Sequence, residues 1–478
     1  MIEHSSQAGR MPRIVRSSTR PGAASRAPAF ERLLRGVEPG GAVLPRLLLY
    51  GWAVVLLAAL IPFAGEALLI AAALYALRGP RQTVEALLVL ALTIMINKTL
   101  VPVDISMLRW VVLTAAAGRT FWDSVITGMP VPRAFWWLTA LVLTLVLFAL
   151  TSSWLPTVSL FKSLSFFMGT ATALIAMHRT RNLADYWLSL LLTLSVFIIL
   201  GSIPLYYFKT YGYARNQVGF QGLLTHPQTY GPITAVLTAF ISGIIVFERK
   251  RSVILLLTMI AGWIGVYLSQ SRTGMLALVL SGVLVIGVSL LKPNTWLPRL
   301  RQAMTFPTVA IGILAIGAFG VLYGSRLSEG FVTFLLKDEA SKDVIGALEE
   351  SRGGLVERSM RNFRAAPFTG IGLGVPSDLE EAEIEYGPLG IPIGASVEKG
   401  FQPTAVLEET GIVGAVLLLI FLLVLYVPVL RWGTMPMAWM VLAVLLINMG
   451  EATLFSIGGN GLFLWLLLSM AYTVNDKR

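Results

Sequence analysis

The sequence lacks cysteine altogether and contains few charged side chains. Without cysteine there is no disulfide framework, no thiol nucleophile and no cysteine-ligated metal. Charged residues make up 13% of the 478 residues and hydrophobic residues 56%, whereas a soluble domain carries about 25% charged residues. A soluble chain of this composition would need a core larger than its surface could cover. These scarcities exclude a secreted hydrolase, a soluble dehydrogenase and a DNA-binding module.

Histidine is nearly as scarce, with only three copies in the chain. His4, His178 and His226 lie far apart in the sequence, and no cluster of His, Asp and Glu has the spacing of metal ligands. This distribution favours chemistry that needs neither a metal nor another cofactor. Magnesium held by carboxylates is the remaining alternative.

What the sequence does contain is a series of apolar segments, many of them close to the roughly 20 residues that span a bilayer. They predict an all-α integral membrane protein with about 12 to 14 transmembrane helices. The range arises because several of the first four segments are short and because 47–77 is compatible with two spans or with one bent element. The apolar segments lie near 47–62, 66–77, 83–103, 106–118, 134–154, 156–177, 186–207, 228–247, 252–270, 273–291, 306–324, 405–430, 435–450 and 461–474.

The segments divide the chain into four regions. A basic, disordered tail with an interfacial helix is expected over 1–40, and transmembrane helices over 41–324. A long polar loop, partly helical, follows over 325–403, and the last transmembrane helices occupy 404–478. No repeat relates the two halves, which argues weakly against transporters built from repeated bundles.

Charge predicts the orientation of these regions. Residues 1–46 hold eight Arg and three Glu, whereas 325–403 holds eight basic and thirteen acidic residues. Short cytoplasmic loops collect Lys and Arg, while long translocated loops escape that bias. Both termini are therefore expected in the cytoplasm and the long loop outside. Because the basic clusters flank apolar segments, their expected partners are membrane lipids and not nucleic acid.

A short polar turn, Ser269-Gln-Ser271-Arg272-Thr273-Gly274, separates two strongly apolar segments on the predicted outer side. Arg272 stands where the positive-inside rule disfavours it. A guanidinium group binds phosphate oxygens in a bidentate manner and stays charged when desolvated. With the hydroxyls of Ser269, Ser271 and Thr273 beside it, Arg272 is a candidate for binding a diphosphate. The alternative is an Arg that merely extends to the membrane interface.

A second polar segment on the same side runs from Arg215 to Gly231. Its glycines and the pair His226-Pro227 predict an ordered turn that leads into the apolar segment 228–247. Arg215 is a second candidate anion contact. His226 is a candidate substrate contact, although a role in the turn itself is the simpler interpretation.

The long loop ends in a third polar constellation. Arg361 and Arg364 precede a glycine turn, Gly370-Ile-Gly372-Leu-Gly374, of the kind that lets backbone amides approach an anion. Further on, Glu398 and Lys399 lie shortly before the next apolar segment, which carries the adjacent acids Glu408 and Glu409. For at least one of these two acids, capping of the helix N-terminus is the expected role.

Together these motifs resemble the O-antigen ligase and polymerase superfamily. The resemblance rests on the Ser-Gln-Ser-Arg turn, the Arg215…His226-Pro227 segment, and Pro367-Phe-Thr-Gly-Ile-Gly-Leu-Gly374 followed by Glu409-Thr-Gly-Ile-Val-Gly414. It covers roughly 200–475, and the order of motifs and the long loop before the last spans agree with it.

The resemblance implies an inverting, metal-independent glycosyltransferase of the bacterial inner membrane with its active site at the periplasmic face. Members of the superfamily take a glycan from undecaprenyl diphosphate and transfer it to the hydroxyl of a glycan or lipid acceptor. Arg272 and Arg215 would hold the diphosphate and stabilise the charge of the leaving group. Arg361, followed by ten residues and Gly372, fits a spacing found in polymerases, for which a chain-length regulator is a further expected partner.

At one position this chain departs from the ligase pattern, and that departure bears on the choice between ligase and polymerase. Ligases carry a His-Asn pair where this chain has Gly400-Phe401, and 325–403 contains no histidine. The nearest ionisable groups are Glu398, a candidate general base, and Lys399, a candidate substrate contact. This departure favours a polymerase of O-antigen, capsule or exopolysaccharide repeats over a ligase acting on lipid A–core. A transporter of lipid-linked or anionic sugars is the alternative of another class.

Overall fold

The computed structural model describes most of the predicted membrane region and the end of the long loop. The described residues are 43–103, 105, 107–248, 252–292, 296–303, 344–380, 383–386, 390, 392–395, 399, 401–458 and 460–475. The predicted basic tail, the apolar segment 306–324 and Glu398 lie outside the described residues.

The described chain is almost entirely helical. In chain order the α-helices are α1 Val43–Leu60, α2 Ala64–Ala76, α3 Pro80–Met95, α4 Leu108–Thr127, α5 Arg133–Thr151, α6 Pro156–Arg179, α7 Ala184–Ser202, α8 Lys209–Gly212, α9 Pro227–Phe247, α10 Val253–Leu268, α11 Arg272–Leu290, α12 Leu297–Ala303, α13 Val344–Ala365, α14 Gln402–Trp432, α15 Met435–Gly450 and α16 Asn460–Asn475. Thirteen of the fourteen apolar segments recognised in the sequence correspond to these helices.

Six of the described helices are long and apolar enough to cross a membrane. They are α5, α6, α7 with its flanking 3-10 turns, α9, α11 and α14. The α1–α2 pair adds a seventh candidate if its two helices, bent by 114°, form one broken span. This bend agrees with the single bent element considered for 47–77. The expected total of 12 to 14 spans remains a prediction.

The bundle encloses small polar residues within a mostly apolar core and carries large apolar residues on its surface. On α11, Ser281 and Ser289 are buried, whereas Val283 and Leu290 are more than half exposed. Each buried hydroxyl donates to a carbonyl of its own helix, which satisfies the group without water. Small polar residues between helices and large apolar residues on the surface are typical of membrane bundles.

Two helices form the centre of the bundle. Nearly every side chain of α9 is buried, and α9 packs against α7, α10, α11 and α15. Helix α16 is buried over its whole length and packs against α6 and α14. Trp465 of α16 lies between Phe166 and Phe421, with ring centroids 5.7 and 5.6 Å away. These contacts join the two sides of the bundle in one core.

The helices run alternately in opposite directions, which gives the bundle two distinct ends. At one end, here called the basic end, Arg299 pairs with Glu248 at 3.2 Å and Lys292 contacts the carbonyl of Leu430. His178 and Arg179 lie at this same end. Basic residues from three separate parts of the chain therefore share one end of the bundle.

The opposite end, here called the loop end, carries the termini that border the polar motifs. They are the C-terminal ends of α5, α7, α10 and α15 and the N-terminal ends of α6, α9, α11, α14 and α16. The second half of the long loop lies here, where α13 packs against α14.

One short antiparallel strand pair lies in the long loop of this otherwise helical chain. Ile384–Tyr386 (β1) pairs with Pro392–Ala395 (β2), with Ile384 opposite Ala395. The sequence between the two strands contains Gly387, Pro388 and Gly390, and such residues favour a chain reversal over a helix.

Candidate functional site

Two polar regions lie at the loop end. The first, here called the arginine region, comprises the segment 213–231 and the turn 269–274. The second, here called the carboxylate region, comprises the end of α13, the glycine turn 370–374, Lys399 and the first turns of α14. They contain nearly all of the candidate residues from the sequence.

The turn 269–274 is held together by its own serines. Ser269 Oγ donates to the carbonyl of Val266 at 2.6 Å and accepts from the amide of Ser271 at 3.2 Å. Ser271 is the N-cap of α11, because its Oγ accepts from the amide of Gly274 at 3.2 Å. Both hydroxyls are buried and bonded within the turn. Their described role is to shape the loop that presents the arginine.

Arg272 follows as the first residue of α11 and is half-buried. Arg272 therefore lies at a helix N-terminus, where the backbone amides of the first turn and the helix dipole favour an anion. Thr273 is also half-buried and packs on the end of α15, since a Cβ on Gly450 would lie 2.6 Å from its Cγ2.

The segment 213–231 packs directly against this turn. The amide of Phe220 donates to the carbonyl of Leu268 at 2.9 Å. A Cβ on Gly219 would lie 2.7 Å from the carbonyl oxygen of Ser269, and one on Gly231 would lie 2.3 Å from Ser271 Cβ. The two polar motifs, separated by some forty residues in the sequence, thus form one structure, and glycine is required where they touch.

His226 is the N-cap of α9. Its Nδ1 accepts from the amide of Gln228 at 3.0 Å, which requires a neutral imidazole. Burial and the positive charge of Arg215 lower the pKa of His226. The pKa effect places Arg215, whose side chain is exposed, near this imidazole. The turn role considered for His226 is confirmed, and Arg215 remains accessible to a ligand at the loop end.

In the carboxylate region the glycine turn docks onto a break in α14. Gly411 has φ 63° and ψ −171°, which interrupts the helix. The amide of Ile371 donates to the carbonyl of Glu408 at 2.8 Å, and that of Gly372 to the carbonyl of Glu409 at 3.1 Å. A Cβ on Gly370 would lie 2.4 Å from the carbonyl carbon of Glu409. The glycines are therefore needed for backbone-to-backbone contact.

Glu408 is the centre of a buried ionic cluster. Its Oε2 lies 2.8 Å from Lys399 Nζ and accepts from Ser359 Oγ at 2.7 Å. Its Oε1 accepts from Asn362 Nδ2 at 2.7 Å, and the Glu408 side chain has no exposed surface. Glu408 therefore binds α13 and the segment before α14 together. The expected helix-capping role is replaced by this one, because α14 begins six residues earlier at Gln402.

The structure separates the remaining candidates by their surroundings. Lys399, expected to contact substrate, is buried and paired with Glu408. Arg361 and Arg364 are exposed on the face of α13 that points away from Glu408, since Ser359 and Asn362 occupy the buried face. These arginines are accessible to a ligand at the loop end, whereas Lys399 is committed to the ion pair.

Three charged groups near the glycine turn were given no functional role by sequence reasoning. Glu409 lies 3.9 Å from Lys399 Nζ and is also attracted by Lys162 of α6. The methylenes of Lys162 lie against the turn, with a Cβ on Gly374 only 3.0 Å from Lys162 Cγ, and Arg109 of α4 is close enough to repel Lys162. Lys162 carried a usable signal, because an ionisable residue inside an apolar segment marks a functional site by default.

Comparisons with known proteins leave the family assignment open. The chain matches no protein-family model, and a search of curated proteins finds no match. The resemblance to the O-antigen ligase and polymerase superfamily therefore remains a prediction from motifs.

Proposed function

We propose that this chain is a membrane glycosyltransferase that polymerises undecaprenyl-diphosphate-linked oligosaccharides at the periplasmic face of the bacterial inner membrane. The observation that carries the proposal is the arginine region. Two separate polar motifs pack into one structure that presents Arg215 and Arg272 at the same end of an apolar bundle.

The geometry is suited to a lipid-linked diphosphate. The lipid would lie along the apolar exterior, which reaches the loop end on α11 and α14. Its diphosphate would meet the N-terminus of α11, where Arg272 and the helix amides offer charge and hydrogen bonds. An exposed Arg215 adds a second positive charge nearby.

In this proposal the arginines act on the leaving group. As the bond between the anomeric carbon and the diphosphate oxygen breaks, negative charge builds on the diphosphate. Fixed cations aimed at that charge stabilise the transition state, which is usually the largest catalytic contribution. Removal of one such donor costs about 100- to 1,000-fold in turnover.

The test is reconstitution of the purified chain in lipid vesicles with undecaprenyl-diphosphate-linked oligosaccharide. Mass spectrometry of the glycan should show new glycosidic bonds with the wild type. Arg272→Ala should lower turnover about 100-fold or more, because it removes a cation from the leaving group. Arg133→Ala, an exposed arginine at the basic end, is the matched control and should leave turnover unchanged.

The same assay separates the alternatives. Transfer to lipid A–core, with no polymer formed, would indicate a ligase. Movement of intact lipid-linked glycan across the bilayer without bond formation would indicate a transporter and contradict the enzyme proposal. Equal turnover of wild type and Arg272→Ala would remove Arg272 from the mechanism.

A further inference from the structure

The carboxylate region contains two adjacent acids in different surroundings. Both oxygens of Glu408 are occupied by Ser359, Asn362 and Lys399, and the side chain has no exposed surface. Glu409 faces Lys162 and the glycine turn, and its nearest ion-pair distance is 3.9 Å, to Lys399. Its side chain keeps 8% of its surface exposed. Glu408 is therefore committed to structure, whereas Glu409 retains capacity to accept a further hydrogen bond.

The backbone around Glu409 adopts conformations that cost free energy, which a merely structural role would not require. The helix breaks two residues later at Gly411, and three glycines with positive φ, Gly370, Gly372 and Gly374, form the facing turn. Left-handed backbone held in place by surrounding contacts is concentrated at functional sites. Interrupted helices with ionisable side chains at the break are likewise typical of substrate sites in membrane proteins.

Contacts at the loop end connect this cluster with the arginine region. Gly450, at the end of α15, packs on Thr273 beside Arg272. The segment that follows returns to α6 and α4, where Ile457 packs on Gly169 and Gly458 on Arg109. Arg109 in turn lies close to Lys162. Both polar regions therefore border the same end of the bundle, one with cations exposed and one with a carboxylate.

We propose that Glu409, and not the sequence-based candidate Glu398, is the general base that accepts the proton of the acceptor hydroxyl. This inference rests on the proposed function. The acceptor oxygen forms a bond to the anomeric carbon while the bond from that carbon to the diphosphate oxygen breaks. Undecaprenyl diphosphate leaves with the electron pair, and the hydroxyl proton goes to the Glu409 carboxylate.

The charges around Glu409 suit this task. Lys162 of α6 and Lys399 flank it, Glu408 is its neighbour on α14, and Arg109 of α4 stands behind Lys162. The two lysines favour the ionised carboxylate, which is the form that a proton acceptor needs. Glu408 binds one of them directly and so limits the positive field at Glu409.

The experiment measures turnover against pH in vesicles, with lipid-linked oligosaccharide extracted from a host strain that lacks the chain. Glu409→Gln should lower turnover about 100-fold or more, since loss of a general base costs about 100- to 10,000-fold. In the wild type, turnover should fall at low pH as the base becomes protonated, and Glu409→Gln should abolish this acid-side fall. Glu409→Asp should keep a measurable rate with that fall. Glu357→Gln, which changes an exposed carboxylate of α13, should stay within about threefold of wild type, as expected for a residue outside the reaction.

Glu408→Gln is the matched neighbour control. It should lower thermal stability and retain the acid-side fall in rate, because Glu408 holds the ionic cluster together and Glu409 remains to accept the proton. Wild-type turnover by Glu409→Gln, or loss of activity in Glu398→Gln alone, would overturn the inference and leave the proposed function standing. If the wild type forms no glycosidic bond, both are contradicted.

Discussion

The polar residues of the arginine region divide into those that build the loop and those that it presents. Ser269, Ser271 and His226 all make hydrogen bonds to backbone groups within their own turns. Arg272 follows these serines as the first residue of α11, and Arg215 is exposed beside His226. At the scale of single residues, the six-residue turn 269–274 therefore contains one candidate ligand contact, Arg272, and serines that fix its position.

The capping role of His226 predicts that the stability of the protein depends on pH. Its Nδ1 must be unprotonated to cap α9, and burial together with Arg215 lowers its pKa in the folded protein. The cap therefore contributes fully above about pH 6.5, the ordinary pKa of histidine. As the pH falls below that value the unfolded state binds the proton first, so the free energy of unfolding decreases until the folded pKa is passed.

Thermal unfolding in detergent between pH 5 and 8 measures this loss. His226→Asn keeps an N-cap acceptor that does not titrate, so its stability should lack the step below pH 6.5. His226→Ala should lose about 1 kcal/mol at pH 7.5, the usual contribution of a cap. An identical acid-side loss in wild type and His226→Asn would contradict this account.

At the scale of elements, the break in α14 is the feature that organises the loop end. Gly411 interrupts the helical hydrogen bonding, and the backbone groups of 408–413 pair instead with the turn 367–372. Ile412 and Val413 donate to the carbonyls of Pro367 and Phe368, so the pairing continues beyond the break. The buried amides and carbonyls that the break would leave unsatisfied are thereby paired.

Gly370→Ala tests this docking. Its φ of 69° disfavours a side chain, and the new Cβ would lie 2.4 Å from the backbone of Glu409, which cannot move aside cheaply. We expect a loss of several kcal/mol or failure to fold, as for steric conflict in a packed core. Urea unfolding or protease resistance in detergent measures it.

Gly354→Ala is the matched control on α13. Its Cβ meets nothing within 4 Å, and alanine is favoured over glycine inside a helix by up to about 1 kcal/mol. Stability should be equal or higher. A comparable loss at both positions would show that the docking of the turn is not what makes Gly370 necessary.

Sequence reasoning located the helices because hydrophobic segments of the right length have few alternatives in a membrane protein. It also predicted a partly helical long loop and recognised the glycine turn. It missed the contacts of Glu408, because the partners Ser359 and Asn362 lie more than forty residues away and only tertiary packing brings them together. Lys162 and Glu409 were missed as a pair for the same reason.

At the scale of the whole molecule, the two ends of the bundle differ in chemistry. The basic end carries clusters of Arg and Lys, and the loop end carries the polar motifs. Val218 lies at the loop end and is 70% exposed, while Met129, between α4 and α5, lies at the basic end and is 45% exposed. The two positions report on opposite ends.

Since the chain contains no cysteine, single cysteines can report its orientation. In cells stripped of their outer membrane, Val218→Cys should react with a membrane-impermeant maleimide. Met129→Cys should react only after lysis, because positive loops are retained in the cytoplasm. The reverse pattern would place the proposed active site on the wrong side of the membrane for the proposed donor.

The link between Lys162 and Glu409 has a consequence for how the chain is made. Lys162 is synthesised more than two hundred residues before Glu409. During that interval α6 holds a lysine whose later counter-charge does not yet exist, and an unpaired charge within a bilayer is costly. We therefore expect α6 to settle in the membrane only once α14 has emerged from the ribosome, so that the carboxylate region closes among the last events of biosynthesis.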